Sequence, residues 1–107
     1  MGRVKEAMID EVMYEEMLKL KSYIEISSYR KKVVIAIGER IIIPTEIAKI
    51  SGIRTNHISK VLKELKDCDV AVCINEEVRK GRLYKLTPKG LEIYYEIVRD
   101  INGLQRM

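Results

Sequence analysis

The stretch TEIAKISGIRTNHISKVLKEL, from Thr45 to Leu65, predicts two short helices joined by a tight turn. Three small or apolar residues of the first helix are expected to face inward: Ile47, Ala48 and Ile50. Gly52 is expected to end that helix, because glycine adopts the left-handed backbone conformation without a steric penalty. A second helix follows at once, and Thr55 is expected to cap it by accepting a hydrogen bond from a backbone N–H.

The second helix has one apolar face and one polar face. Its apolar residues recur at the spacing i, i+3, i+4, i+7, which is typical of a single buried stripe: Ile58, Val61, Leu62 and Leu65. The opposite face carries no acidic residue and consists of Asn56, Ser59, Lys60 and Lys63. Such a face suits the major groove of DNA, where amides and hydroxyls read bases and lysines meet phosphates.

The spacing of four residues resembles the packing pattern of a helix-turn-helix: Ala48, Gly52, Ile58 and Val61. After this unit the chain predicts a β-hairpin, with strands at 70–74 and 82–87 around a charged loop that contains Gly81. Thr87 and Pro88 then predict the cap and first position of a last helix. Ile41–Ile43 is expected to add a short third strand.

The order of these elements, and two sequence segments, resemble the winged helix-turn-helix transcriptional regulators of archaea and bacteria. The segments are GRLYKLTPKGLEIY at 81–94 and SSYRKKVVIAI at 27–37, and the resemblance covers roughly residues 26–100. One departure is Asp69, where such families usually carry glycine. Aspartate tolerates the left-handed conformation better than most residues, so the turn is expected to be kept.

Charge is distributed unevenly along the 107 residues, which make one domain-sized chain with a net charge of +4. Residues 1–25 hold four basic and six acidic residues, a net charge of −2, whereas residues 26–107 hold sixteen basic and ten acidic residues, a net charge of +6. Positive charge on the second part is the electrostatic footprint expected of a DNA-binding domain. A solvated lysine-rich surface would give the same charge.

The composition excludes several classes of protein. The longest apolar runs, such as Val33–Ile37, span five residues, and the first residues carry no apolar signal region, so we expect a cytoplasmic protein without a membrane span. Sixteen isoleucines, twelve lysines and twelve glutamates against one glutamine are typical of a thermophile.

Catalytic and metal-binding patterns are lacking, so we expect no enzyme, no metal and no cofactor. His57 is the only histidine, and no serine or cysteine has a base partner in the pattern. Cys73 lies in an apolar strand, where a free thiol packs as a small hydrophobe. A sensing role for Cys68 and Cys73, as in some winged-helix repressors, is the alternative.

The two ends of the chain predict long helices with more apolar surface than a small domain covers. In the first helix the apolar residues are Val4, Met8, Ile9, Val12, Met13, Met17, Leu20 and Ile24. In the last helix one apolar face consists of Ile93, Ile97, Ile101 and Leu104. We expect these faces to lack a partner within the chain and to form a homodimer. The alternative is that the first helix folds back onto the last.

These observations predict an α+β, mostly helical fold, a winged helix-turn-helix with an extra N-terminal helix and a long C-terminal helix. The flanking helix is assigned to residues 1–25 and the DNA-binding domain to 26–107. Helices are expected near 3–24, 28–38, 45–51, 55–67 and 88–103.

The expected function is sequence-specific binding of double-stranded DNA in transcriptional regulation. The resemblance assigns DNA contacts in the recognition helix to Arg54, Thr55, Asn56, Ser59, Lys60 and Lys63. It assigns wing contacts to Arg79, Lys80 and Arg82, and a phosphate contact to Thr45. Glu76 and Glu77 stand unfavourably at the base of the wing. A protein-interaction module and a DNA-associated protein without sequence preference remain the rival functions.

Overall fold

The computed structural model describes the backbone of residues 2–105 and the side chains of residues 11–103. Its described elements are five helices and two strands: α1 Gly2–Ile26, α2 Ser28–Ile37, α3 Pro44–Ser51, α4 Thr55–Asp67, β1 Ala71–Cys73, β2 Tyr84–Leu86 and α5 Pro88–Gln105. This order confirms the predicted α+β, mostly helical architecture. The outer helices are longer than predicted, and both strands are shorter.

The sheet is a single antiparallel hairpin. Strands β1 and β2 pair with Ala71 opposite Leu86 and Cys73 opposite Tyr84. The predicted third strand at Ile41–Ile43 is wrong in extent, because only Ile42 bridges to Tyr84, through two backbone hydrogen bonds of 2.9 Å. The pairing stops there because Pro44 begins α3 two residues later and has no N–H to donate.

The turn between α3 and α4 is closed by glycine and serine. Gly52 has a left-handed φ of 74° as predicted, and its N–H donates to Ala48 O at 2.9 Å. The predicted cap at Thr55 is wrong: Thr55 is the first helical residue, and Arg54 occupies the cap position without a side-chain hydrogen bond. The side-chain acceptor in this turn is instead the Ser51 hydroxyl, which accepts from the N–H of Ile53 at 3.2 Å.

One apolar core joins all the elements. The predicted stripe of α4 is fully confirmed, since Ile58, Val61, Leu62 and Leu65 are all buried. In α3 the inward residue is Ile47, whereas Ile50 is half exposed, which contradicts the inward orientation predicted for it. Ile50 lies off the face centred on Ile47, and Ile53, beyond the turn, is the next residue to enter the core.

The second half of α1 folds back onto α5 within the chain. Ile24, Ile93 and Ile97 are completely or almost completely buried, so the prediction that these residues lack an intramolecular partner is wrong. Lys21 ties the two helices together, because its ammonium contacts Asp100 at 2.8 Å and Glu96 at 3.9 Å. The hydrogen bond to Asp100 raises the pKa of Lys21 and lowers that of Asp100.

Exposed apolar residues remain scattered over several elements, for example Ile26, Ile41 and Tyr95, and four of them lie close together in the middle of α1. The exposed apolar residues there are Val12, Met13, Tyr14 and Leu18. Met17, Leu20 and Ile101 are partly buried against the core. The predicted apolar residues Val4, Met8, Ile9 and Leu104 lie outside the described side chains.

The start of α5 is locked to the end of α4. Thr87 caps α5 as predicted, since its hydroxyl accepts from the N–H of Gly90 at 3.0 Å and donates to Asp69 O at 2.7 Å. Asp69 keeps the predicted left-handed conformation, with a φ of 61°. Gly90 lies against the backbone of Val70, where an added Cβ would come within 2.1 Å of the carbonyl oxygen.

We predict that Gly90→Ala destabilises the protein by about 1–3 kcal/mol, because the methyl group must displace backbone rather than a flexible side chain. Gly103→Ala in the same helix is the matched control, since an added Cβ meets no atom of the described residues within 4 Å. The control should be neutral or stabilise by up to about 1 kcal/mol. Urea unfolding of both variants measures the difference, and equal stability would contradict the close contact.

Candidate nucleic-acid interface

The solvent-facing side of α4 carries the polar residues that the sequence predicted. All six residues assigned to the recognition helix are exposed: Arg54, Thr55, Asn56, Ser59, Lys60 and Lys63. The opposite side is anchored on α2, α3 and β1 through the buried stripe. The helix therefore presents amide, hydroxyl and cationic groups from a fixed position.

An open groove of about 760 Å³ lies between α4, the start of α3 and the hairpin loop. It brings together six of the ten predicted contact residues: Thr45, Ser59, Lys63, Arg79, Lys80 and Arg82. Lys66 and Asp67 also line it, so five basic side chains share the groove with one carboxylate. The remaining four predicted residues do not line it: Arg54, Thr55 and Asn56 lie at the exposed start of α4, and Lys60 lies on its other flank.

The hairpin loop, residues 74–83, is the wing, and Asn75 holds it together. The Asn75 side-chain oxygen accepts from the N–H of Leu83 at 2.8 Å, and its amide donates to Gly81 O at 3.2 Å. Gly81 has a φ of 74°, a conformation that favours glycine. Sequence reasoning assigned no role to Asn75, although asparagine is a common side-chain bridge in turns.

Arg82 stabilises the wing by binding carbonyl groups of the wing itself. Its guanidinium donates to Val78 O at 2.8 Å and to Glu76 O at 3.2 Å, so the side chain braces the loop backbone. Arg79 and Lys80, by contrast, are exposed on the wing. The wing therefore offers two free cations to a partner and uses the third to keep its own shape.

Lys66 is a groove residue that the sequence prediction missed. It follows Ser59 and Lys63 at the spacing i, i+4, i+7, which places all three on one side of α4 and could have revealed it. Its ammonium forms an ion pair with Glu76 of the wing. The hydrogen bond between them raises the pKa of Lys66 and lowers that of Glu76. The carboxylate that looked unfavourable in the sequence is thus neutralised.

The other flank of α4 meets the start of α2. The His57 ring lies against Tyr29 with a centroid distance of 5.5 Å, beside Lys60. Arg30 contacts Glu64 at 3.6 Å and covers the Tyr23 ring at 3.8 Å from its centroid. His57 therefore lies on this flank of α4, and Tyr29 is an aromatic neighbour that the sequence did not reveal.

Both cysteines are free thiols. Cys73 is buried in β1, which confirms its predicted packing role. Cys68 is half-buried, its thiol donates to Leu65 O at 3.5 Å, and burial raises its pKa. A raised pKa disfavours the reactive thiolate of Cys68.

Comparison with known proteins supports the architecture. The sequence matches no protein-family model and no curated protein. Among solved structures, the chain is similar to MarR of Staphylococcus aureus, described in complex with salicylate and kanamycin, with a TM-score of 0.63 and 23% identity. The match covers 97% of this chain and 75% of that chain. The chain therefore has a winged-helix fold. None of the described helices is both long and apolar enough to cross a membrane.

Proposed function

We propose that this protein binds double-stranded DNA in a sequence-specific manner and regulates transcription. The observation that carries the proposal is the groove between α4 and the wing, where five basic side chains converge beside an exposed helix face of amide and hydroxyl groups. Enzymes and protein-docking modules do not require this combination, whereas DNA binding requires both cations for phosphates and polar groups for base edges. The likeness to a MarR structure supports a regulatory role.

In the proposed complex, α4 enters the major groove. Asn56 and Ser59 read base edges, and Lys60 and Lys63 meet the flanking phosphates. Arg54, Thr55 and Thr45 lie at the N-terminal ends of α4 and α3, where the helix dipoles also favour phosphate. Arg79 and Lys80 extend from the wing toward the neighbouring backbone or minor groove, and Arg82 holds the wing in shape.

The proposed assembly is a homodimer. Val12, Met13, Tyr14 and Leu18 form the exposed apolar surface of α1, and a patch of this kind marks an interface. Beside it, Met13, Met17 and Leu20 line a cleft of about 330 Å³ with Pro88. In the proposed dimer, the two copies of α4 lie about 34 Å apart, or a multiple of that distance, and select a palindromic site.

We predict a steep salt dependence of DNA binding. If each protomer neutralises about 4–6 phosphates, the logarithm of the dimer's affinity should fall against the logarithm of salt concentration with a slope of about −7 to −11. Fluorescence anisotropy on genomic fragments at several salt concentrations measures the slope. Absence of binding at low salt would favour the protein-docking function instead, and equal affinity for all sequences would favour a DNA-associated role without sequence preference.

Asn56 and Lys63 should differ in the kind of contact that they lose. Because asparagine can bond bidentately to adenine, Asn56→Ala should cost about 1–3 kcal/mol on the preferred site and relax discrimination at one base. Lys63→Ala should weaken cognate and random DNA equally and reduce the salt slope by about one per protomer. Identical effects of the two changes would contradict base reading by this face.

The controls for these variants carry the same substitutions outside the interface. Asn102→Ala changes an exposed asparagine of α5, and Lys19→Ala changes an exposed lysine of α1. Neither side chain lines the groove between α4 and the wing. Both control variants should retain the affinity and the salt slope of the unchanged protein.

We predict that the double substitution Met13→Glu and Leu18→Glu dissociates the homodimer, because it places four carboxylates in the proposed two-fold interface. Ile41→Glu is the control, since Ile41 is 58% exposed and Met13 is 59% exposed. Multi-angle light scattering at micromolar concentration should show a monomer for the first variant and a dimer for the control. A monomeric unchanged protein would contradict the dimer and the palindromic site.

A further inference from the structure

We propose that Lys66 and Glu76 act together as a positioning pair that sets the angle of the wing against the recognition helix. The inference rests on the proposed function and deepens it, because it names the two residues that set the width of the groove between α4 and the wing. Among the described residues, this ion pair is the one that joins α4 directly to the wing loop. The other interactions that order the loop lie within the hairpin itself.

Glu76 is held from two sides. Its side chain meets the Lys66 ammonium, and its backbone carbonyl accepts from the Arg82 guanidinium at 3.2 Å. Because Arg82 also binds Val78 O, the pull of Lys66 on Glu76 is transmitted to the loop segment that carries Arg79 and Lys80. The loop then moves with α4 as one unit, and its two exposed cations face the groove shared with Ser59 and Lys63.

Electrostatics alone predicts the opposite role for Glu76. A carboxylate beside a DNA-binding groove repels phosphate, so its removal should strengthen binding. Positioning predicts that removal weakens binding, because the wing loses its fixed angle and must be ordered when DNA binds. The sign of the change therefore separates the two roles.

The neighbouring residue Glu77 provides the matched control. Glu77 is exposed, carries the same charge, lies one position along the same loop and makes no ion pair among the described residues. Glu76→Ala should lower the affinity for DNA about two- to fivefold, the range expected for loss of an exposed ion pair. Glu77→Ala should leave the affinity unchanged or raise it.

A charge reversal tests the pair itself. Lys66→Glu alone sets two carboxylates side by side and should weaken binding more than Glu76→Ala does. Adding Glu76→Lys to that variant restores the attraction with reversed charges, and the affinity should recover at least in part. Failure of the second change to recover any affinity would overturn the positioning role, as would equal or stronger binding by Glu76→Ala.

Hydrogen exchange of the free protein tests the wing without DNA. The N–H groups of Val78 and Leu83 bond to the backbone and side-chain oxygens of Asn75, at 3.2 and 2.8 Å. Both amides should exchange faster in Glu76→Ala than in Glu77→Ala, while the amides of the α4 core and the unfolding midpoint stay the same. Equal exchange in the two variants would overturn the pair, whereas failure of the unchanged protein to bind DNA would overturn only the proposed function.

Discussion

The burial of one side of α4 is the constraint on which the rest of the structure depends. Each fully buried aliphatic side chain contributes about 1.5–3 kcal/mol, whereas an exposed ion pair contributes about 0–1 kcal/mol. Four residues of α4 are buried, so packing rather than surface charge holds the helix in place. The polar face of α4 is therefore not needed to hold the helix in place. Its lysines and Asn56 can be chosen for a partner because stability does not depend on them.

Contacts between the end of α4 and the start of α5 fix where the hairpin and α5 begin. Asp69 turns the chain through a left-handed residue, Thr87 bonds to the carbonyl of Asp69, and Gly90 packs against Val70. Asp69 and Thr87 lie 18 residues apart in the sequence, and these contacts hold the two backbone segments together. The hairpin between them has both its ends defined, and α5 leaves in the direction that lets Ile93 and Ile97 enter the core.

Local chemistry explains how much of this fold the sequence could predict. Periodicity identified all four buried residues of α4, and the roles of Gly52, Asp69 and Thr87 follow from backbone preferences that act within a few residues. The wrong predictions have two causes: neighbouring side chains compete for one role, and some contacts join residues that are far apart in the sequence. Ser51 orders the turn in which Thr55 was expected to act, and Ile97 is buried in a core that it shares with residues of α1 and α2, far away in the sequence. Neither the role of Ser51 nor the burial of Ile97 follows from the pattern of a short sequence segment.

The candidate site also combines features that local sequence predicts with features that depend on tertiary contacts. The exposed lysines of α4 were visible from helical spacing, but the pairing of Lys66 with Glu76 arises only when the hairpin folds over the end of α4. That pairing gives Glu76, which lies beside the basic groove, a direct contact with α4. Glu76 pairs with one cation of the groove, Lys66, and in the proposed role this pair ties the wing to α4. A groove made only of cations would attract DNA of any sequence, since phosphate attraction carries no sequence information. In the proposed complex, a wing held at one angle restricts the register in which α4 can meet base edges, so Glu76 contributes to discrimination as well as to affinity.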